Sequence, residues 1–549
     1  MRMRTFYVAT LGCKVNHYEA EQIAAFLRSQ GLRQTHDPGA ADLRIVHTCA
    51  VTADAASQSR QTIRRMARIS VPPDAAADSP SMPRVLVTGC WATAHRADAG
   101  QLPLVAAAVG HDEDMAQALA HLLSLWQRED AGSSRACTRS CNAAHCCPPE
   151  PPGDNGWMMR AGAPGQPPPY SNQPSPPAVN AEPAGNVSEP AAVFASPRPW
   201  TGAASLPPPD IRRPNRQRAL LKIQDGCDHG CTYCIVPALR RRLWSKAPDQ
   251  VIDEARRLVC LGYAEIVLTG VCLGSYGRTP EDAMHAQPGS FHLARLISRI
   301  AKEVPGLVRL RLSSLDPADV TPELISAMRG CPALAPHFHL PVQSGSDRVL
   351  RAMNRRYGRQ TCLAAIRMLS EAFDRPAFTA DVMVGFPGET DDDFEQTLSL
   401  IDAASFAHVH VFTFSAREGT AAARLRSEFV PPHVLAARLA RLRRHTRAAS
   451  LAYRSGFVGE VVNVVVERRS AQFRREGMLT GRCDRYFPVV FPSSADLAGS
   501  VAAVRIDGVD AGRTWGTLVG VVRPAHVDSG GPPGALAAAA GMGRCAAFE

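Results

Sequence analysis

Nowhere in these 549 residues is there an apolar run near 18 residues, so no segment reads as a membrane-crossing helix. The alanine run near Ala537 is too short for that. Met1–Arg4 is basic, but the apolar stretch after it, Thr5–Leu11, is too short for a secretory leader and reads as a strand. The expectation is a cytoplasmic protein without a membrane partner, in a compartment where thiols stay reduced. Its 16 cysteines are then expected to be metal ligands, catalytic groups or buried side chains rather than disulfides. A second CxxC unit, which would complete a structural zinc site, is also lacking. The length argues against one compact core and for three or four domains. A net charge of +10 suits a nucleic-acid partner without requiring one.

The expected class is α/β. Residues 1–128 alternate strand-like segments (Thr5–Thr10, Leu43–His47, Val85–Thr88) with helical ones (Tyr18–Gln30, Met115–Trp126), which predicts a parallel sheet. From Pro148 to Pro214 the chain holds 19 of its 44 prolines, and 129–212 reads as a disordered insert or linker. Residues 213–448 resume the alternation with six candidate strands: Ala219–Ile223, Glu265–Thr269, Val308–Leu312, His337–Leu340, Phe378–Val384 and His408–Phe412. Helical patterns such as Pro248–Leu261 and Phe291–Glu303 lie between them. Six such units fit a partial (βα)6 barrel with its site at the strand C-termini. Residues 434–453 read as a basic amphipathic helix. Residues 449–524 hold strand-like segments with glycine turns (Val461–Val466, Val489–Phe491, Val501–Ile506, Thr517–Val522), the pattern of a small β-barrel, and 525–549 reads as a flexible tail.

The sharpest signal is Lys222-Ile-Gln-Asp-Gly-Cys227-Asp-His-Gly-Cys231-Thr-Tyr-Cys234. Three thiolates can hold three irons of a 4Fe–4S cluster and leave the fourth iron open to substrate. The CxxxCxxC spacing, Tyr233 inside the last gap and the strand-end position fit the radical S-adenosylmethionine (SAM) signature. The competing reading is zinc, which wants four ligands: His229 lies within the cluster, but Cys260 and Cys272 do not repeat the spacing. An open iron implies that SAM chelates it and that reductive cleavage yields a 5′-deoxyadenosyl radical able to abstract hydrogen. Cys13, Cys49 and Cys90 each follow a predicted strand, and parallel strands place their C-termini on one sheet edge. Taken alone, this second set reads either as a second cluster or as buried thiols.

Leu11-Gly-Cys-Lys-Val-Asn-His-Tyr-Glu19, His47-Thr-Cys-Ala-Val-Thr52 and Val87-Thr-Gly-Cys-Trp-Ala92 resemble the cluster motifs of the methylthiotransferase family. Cys227–Cys234, Ile266-Val-Leu-Thr269-Gly270-Val271, Leu273-Gly-Ser-Tyr-Gly277, Arg311-Leu-Ser-Ser-Leu-Asp316, His339-Leu-Pro-Val-Gln-Ser-Gly-Ser346 and Asp381-Val-Met-Val-Gly-Phe-Pro-Gly-Glu-Thr390 resemble its barrel motifs. Residues 455–524 are similar to the TRAM domain, an RNA-binding module. The resemblance implies that Cys13, Cys49 and Cys90 hold an auxiliary 4Fe–4S cluster, and Cys227, Cys231 and Cys234 the catalytic radical SAM cluster. It implies a sulfur methylated by one SAM and transferred to a carbon activated by a second. Tyr233, Thr269, Gly270, Ser313, Ser314, Gln343, Ser344 and Asp381 are the expected SAM-site residues. The implied partners are tRNA, at the anticodon stem-loop, and an electron donor such as flavodoxin or ferredoxin.

Family members act on isopentenyladenosine in tRNA, on an aspartate of a ribosomal protein, or on threonylcarbamoyladenosine at position 37 of tRNA. Lys14-Val-Asn16 with Tyr18-Glu19 resembles the third type. Several positions depart from the pattern. His47 stands for a usual Asn, Cys272 for His or Asn, Asp316 for Glu, and Ala238–Trp244 keeps only Arg240 and Arg242 beside Pro237. Arginines from Arg438 to Arg447, and Arg454, Arg468, Arg469, Arg474, Arg475, Arg482 and Arg485, are read as either an RNA-facing set or a solvated surface. Phe473, Tyr486 and Phe487 are read as base-stacking candidates or core aromatics. Cys137, Cys141, Cys146 and Cys147 with His145 form a weak zinc candidate inside the insert. Asp381 and Glu389 are the polar groups of their motif read as reaching a cofactor, with a structural role as the alternative.

Overall fold

The computed structural model describes residues 3–69, 83–102, 104–138, 206–211, 217–278, 292–467 and 477–524. Cys141, His145, Cys146, Cys147, Arg468, Arg469, Phe473, Arg474, Arg475 and the 525–549 tail lie outside them, as does the side chain of Cys137.

The first unit is a five-stranded parallel sheet in the order β2-β1-β3-β4-β5, from Arg33–Gln34, Thr5–Thr10, Leu43–Thr48, Arg84–Gly89 and Val105–Val109. Helix α1 (Lys14–Ser29) puts Ile23, Ala24 and Leu27 against Phe6, Leu43 and Ile45, a helical stripe closing one sheet face. Helix α2 (Ala53–Arg68) lays Ile63 and Met66 against Val46, Val85 and Val87 on the other face.

The second unit is an arc of six parallel strands. Strands β6 (Arg218–Lys222), β9 (Glu265–Thr269) and β10 (Arg309–Leu312) form one sheet, with the β7–β8 hairpin (Gln224–Asp225, Trp244–Ser245) after β6. Strands β11 (His337–Gln343), β12 (Ala377–Val384) and β13 (His408–Thr413) form the other, and a Ser314–His339 bridge joins the two. Alternation along each strand separates two chemistries. Leu221, Ile266, Leu268, Leu310, Leu312, Phe338, Leu340, Ala380 and Val382 pack into the helix layer. The opposite parity (Glu265, Arg309, Arg311, His337, His339, Thr379, Asp381, His410) makes a polar lumen.

The third unit is a closed barrel, β14-β15-β16-β18-β17, from Val461–Glu467, Met478–Cys483, Pro488–Pro492, Thr514–Arg523 and Val501–Val509. The Met478–Cys483 strand is absent from the sequence reading, because Gly481 and Arg482 interrupt its apolar pattern. The helix leading in runs from Pro432 to Ser455, so the expected boundary at 448/449 falls within one continuous element. This barrel plugs the strand starts of the arc. Arg309 donates to the carbonyls of Asn463 (2.9 Å) and Arg482 (3.3 Å), Arg311 to that of Asp484 (3.1 Å), and Tyr486 stacks on His337 at 4.6 Å. No helix among the described residues is long and apolar enough to cross a membrane.

Candidate functional site

Strand β6 ends into a loop that must reverse at once. Gly226 takes φ +76°, and a Cβ there would lie 2.0 Å from the Arg242 carbonyl oxygen, so only glycine fits. The reversal brings Cys227, Cys231 and Cys234 together as half-buried free thiols, each close enough to feel the others' charge. Arg355 Nη1 donates to Cys231 Sγ at 3.3 Å and Nη2 to Asp316 at 2.8 Å, while the His229 amide donates to Cys227 Sγ at 3.4 Å. Tyr233 packs its ring against an apolar cluster with Val349, Met353, Met383 and Phe386 that anchors the loop, while its hydroxyl interacts with Cys231.

Cys272 comes unexpectedly close. Its Sγ lies 3.7 Å from His229 Nε2, and the ligand atoms of Cys227, His229 and Cys272 fall within 4.8 Å of one another. Sequence spacing had separated Cys272 from the site; the short turn after β9 returns it. The trio Cys227, Cys231 and Cys234 still supplies three thiols on one loop, the donor set of a 4Fe–4S cluster with one open iron.

Beside the thiols, the C-terminal ends of β9, β10 and β11 expose unmet polar capacity. Thr269 Oγ1, Ser313 Oγ and Gln343 Oε1 are buried without a hydrogen-bond partner among the described residues. Each such atom costs about 1–3 kcal/mol, and three at adjacent strand ends suit a polar ligand such as SAM. Gln343 holds φ +63° at a register shift between β11 and β12. Gly270 abuts the Gln224 side chain, where a Cβ would approach Oε1 to 2.9 Å. Ser314 bridges β10 to His339. Ser344 does not join this set: its hydroxyl is engaged by Thr397 Oγ1 (3.3 Å) and the Ser346 amide (3.2 Å). Glu389 is likewise internal, accepting from the Gly385 amide (2.8 Å) and Arg438 (3.0 Å), which realises the structural alternative.

The second thiol set forms on the N-terminal sheet. Strands β1, β3 and β4 are neighbours, so Cys13, Cys49 and Cys90 emerge side by side. A Cβ at Gly12 (φ +96°) would lie 2.8 Å from Cys49 Sγ, and one at Gly89 (φ +93°) 2.5 Å from the Thr48 carbonyl oxygen; both glycines let the cysteine turns pack. Cys13 Sγ and Cys90 Sγ lie 3.8 and 4.0 Å from Asn16 Oδ1. Burial raises Cys49 and pushes Cys90 up to about 12. Such thiols ionise only against a strong local cation, which iron would supply.

Between the two sets runs a buried ion network that joins residues of separate motifs. Glu19 accepts from Lys222 (2.6 Å) and Arg240 (2.7 Å) and meets His47 Nε2 at 3.2 Å. Asp225 binds the same Lys222 (2.6 Å) and Arg240 (2.9 Å), and Arg240 also donates to Asn16 (3.0 Å). Burial opposes ionisation of Glu19, but Arg240 and Lys222 outweigh it and hold its carboxyl well below the usual range. A cavity of about 850 Å³ opens beside this network, lined by Glu19, His47, His111, Arg240, Trp244 and Arg417.

The aromatic and basic candidates of the third unit sort differently from expectation. Tyr486 faces inward, stacked on His337 with Arg218, Arg311 and Arg482 over its ring, and Phe487 packs on Phe457 in the barrel core. Neither presents a face to a base. Arg438 pairs with Glu389 and Asp391, Arg441 with Glu395, Arg454 binds Thr514, and Arg485 binds Asp374 and Asp484. Arg443, Arg444 and Arg447 remain exposed along the helix.

Three family models match the chain: the radical SAM superfamily over residues 221–401, an uncharacterized protein family (UPF0004) over 5–110, and the TRAM domain over 456–519. The threonylcarbamoyladenosine tRNA methylthiotransferase MtaB of Bacillus subtilis is 31% identical over 504 residues, covering 92% of this chain and 94% of that one. This chain belongs to the radical SAM methylthiotransferase family. The tRNA-2-methylthio-N(6)-dimethylallyladenosine synthase of Acetivibrio thermocellus is 36% identical over 313 residues, covering 57% of this methylthiotransferase and 62% of that protein. Among solved structures, a radical SAM methyltransferase from Kitasatospora setae, TsrM, aligns with TM-score 0.45 and 12% identity over 77% of each chain. Family membership makes the protein an enzyme that uses SAM and a 4Fe–4S cluster.

Proposed function

We propose that this methylthiotransferase modifies tRNA, placing a methylthio group on C2 of N6-threonylcarbamoyladenosine at position 37. Cys227, Cys231 and Cys234 would hold the radical SAM cluster, and Cys13, Cys49 and Cys90 an auxiliary one. The observation that carries the reading is a pair of three-thiol sets linked through Arg240, which donates to Asn16 beside Cys13 and Cys90 and to Asp225 two residues before Cys227, in a chain 31% identical to a relative named a threonylcarbamoyladenosine tRNA methylthiotransferase. When bound, the cofactors supply a carbon-centred radical for hydrogen abstraction and the sulfur to be transferred.

The protein's own part is binding and orientation. Thr269, Ser313 and Gln343 offer unmet polar atoms to SAM at the strand ends. Arg355 draws Cys231 and Asp316 together. Arg240 spans Asn16, which touches Cys13 and Cys90, and Asp225, two residues before Cys227. Its guanidinium therefore sets the distance between the two thiol sets. The TRAM domain and the exposed Arg443, Arg444 and Arg447 support an RNA substrate that docks at the anticodon stem-loop. An external donor such as flavodoxin or ferredoxin would deliver the electrons.

The test is reconstituted, reduced protein with SAM and anticodon stem-loops carrying either threonylcarbamoyladenosine or isopentenyladenosine. Methylthio product on the first loop and none on the second is expected. Product on the isopentenyl loop alone would move the substrate, and product on neither would favour an aspartate of a ribosomal protein.

A further inference from the structure

We propose that Lys14 is the specificity-determining residue that recognises the free carboxylate of the threonylcarbamoyl group, an inference that rests on the proposed substrate. Lys14 follows the first cysteine of the auxiliary set and opens α1, which packs along the open edge of the arc beside β6. Its ammonium makes no hydrogen bond or ion pair among the described residues. It faces the lumen, where its electrostatic neighbours are Tyr486, Arg218, Arg311 and Asp381.

The charges around it are unevenly matched. Arg309 and Arg311 share one buried carboxylate, Glu265. Arg218 pairs with Glu467 at 3.0 Å and also donates to the Tyr486 hydroxyl at 3.2 Å. Asp381 is drawn the other way, to His339 Nε2 at 3.3 Å, and the ligand atoms of His339, Asp381 and His410 lie within 4.8 Å of one another. Lys14 is left as a partly buried cation with no ion pair of its own, its nearest anion Asp381 acting on it only at longer range, in a cationic stretch of lumen. An uncompensated charge in such a place is costly unless a ligand completes it.

The shape of the nucleoside fits that gap. In a purine, C2 and the N6-bearing carbon lie on opposite sides of N1. A base that turns C2 toward the thiol sets therefore carries its N6 substituent to one side of them, toward the residue that follows Cys13. An isopentenyl group there offers Lys14 nothing, whereas the threonyl carboxylate offers a charge-assisted partner. Rejection of a ligand that leaves a buried charge unpaired is the strongest form of polar discrimination.

The test measures binding to the cluster-reconstituted full chain, without turnover. Three stem-loops differ only at the modified base: threonylcarbamoyladenosine, its threonyl methyl ester, and isopentenyladenosine. Wild type is expected to bind the acid at least tenfold more tightly than the ester, about 1.4 kcal/mol. Lys14→Met should bind acid and ester equally, at the wild-type ester affinity, with unchanged iron content; Lys14→Arg should restore preference for the acid. Wild type that binds acid and ester alike overturns the inference without help from any variant. Lys14→Met that still prefers the acid overturns it while leaving the substrate reading intact. A wild-type preference for the isopentenyl loop overturns both.

Discussion

Removing one thiol from either set should remove one cluster and spare the other. Cys231→Ala is expected to lose about half of the bound iron and all SAM cleavage, and Cys90→Ala about half of the iron while SAM cleavage persists; iron analysis and 5′-deoxyadenosine formation check both. His337 gives a pH signature. Burial, then Arg311, lowers its pKa well below the ordinary value, so the folded protein keeps it neutral where the unfolded chain binds a proton. Its contribution is fully present above about pH 6.5 and declines below it by up to about 1.4 kcal/mol per pH unit. Thermal melts between about pH 5 and pH 7 should show a shallower slope for His337→Gln than for wild type. The six cysteines were legible as strand-end thiols because spacing and periodicity are local. Cys272 and Ser344 were not: contact with His229, or with Thr397 across α-helix packing, depends on how distant segments meet.

Among the elements, the strands of the arc were readable nearly residue for residue, since each alternates an apolar outer face with a polar lumen. The alternation did not reveal that the lumen is a charged chamber, nor that Tyr486 enters it from the third unit. That loop carries φ +73° at Tyr486, a turn that the sequence does not announce with glycine. The network joining α1 to β6 and the β7–β8 hairpin escaped notice for a related reason. Glu19 and Arg240 are 221 residues apart, and although each stands in a motif, nothing in the sequence pairs the two. Glu19→Gln should destabilise the fold by about 3–5 kcal/mol, because Lys222 and Arg240 stay buried with only Asp225 to share. Urea unfolding of the apo chain measures this directly.

Across the whole molecule, the reading of 129–212 as an insert lies mostly outside the described residues and its expected start falls within the helix Met115–Thr138, whereas the order of the three folded units could be read in periodicity alone. How the units dock could not, because it rests on single contacts such as Arg309 to Asn463 and Tyr18 to Glu254. The same docking bears on residues 129–212, which read as an insert or linker. Gln22 donates to the Leu206 carbonyl at 3.2 Å and Arg28 pairs with Asp210, so 206–211 are strapped along α1. Deleting residues 139–205 should preserve both clusters and activity, while extending the deletion through 211 should lower the melting temperature; loss of both clusters in the shorter deletion would refute this.

The central claim is tested most directly by mass spectrometry of nucleosides digested from tRNA of cells with and without this gene. The account predicts that the methylthio form of threonylcarbamoyladenosine disappears with the gene while its unthiolated precursor accumulates. Disappearance of methylthio-isopentenyladenosine instead, or no change in any tRNA nucleoside, would contradict it.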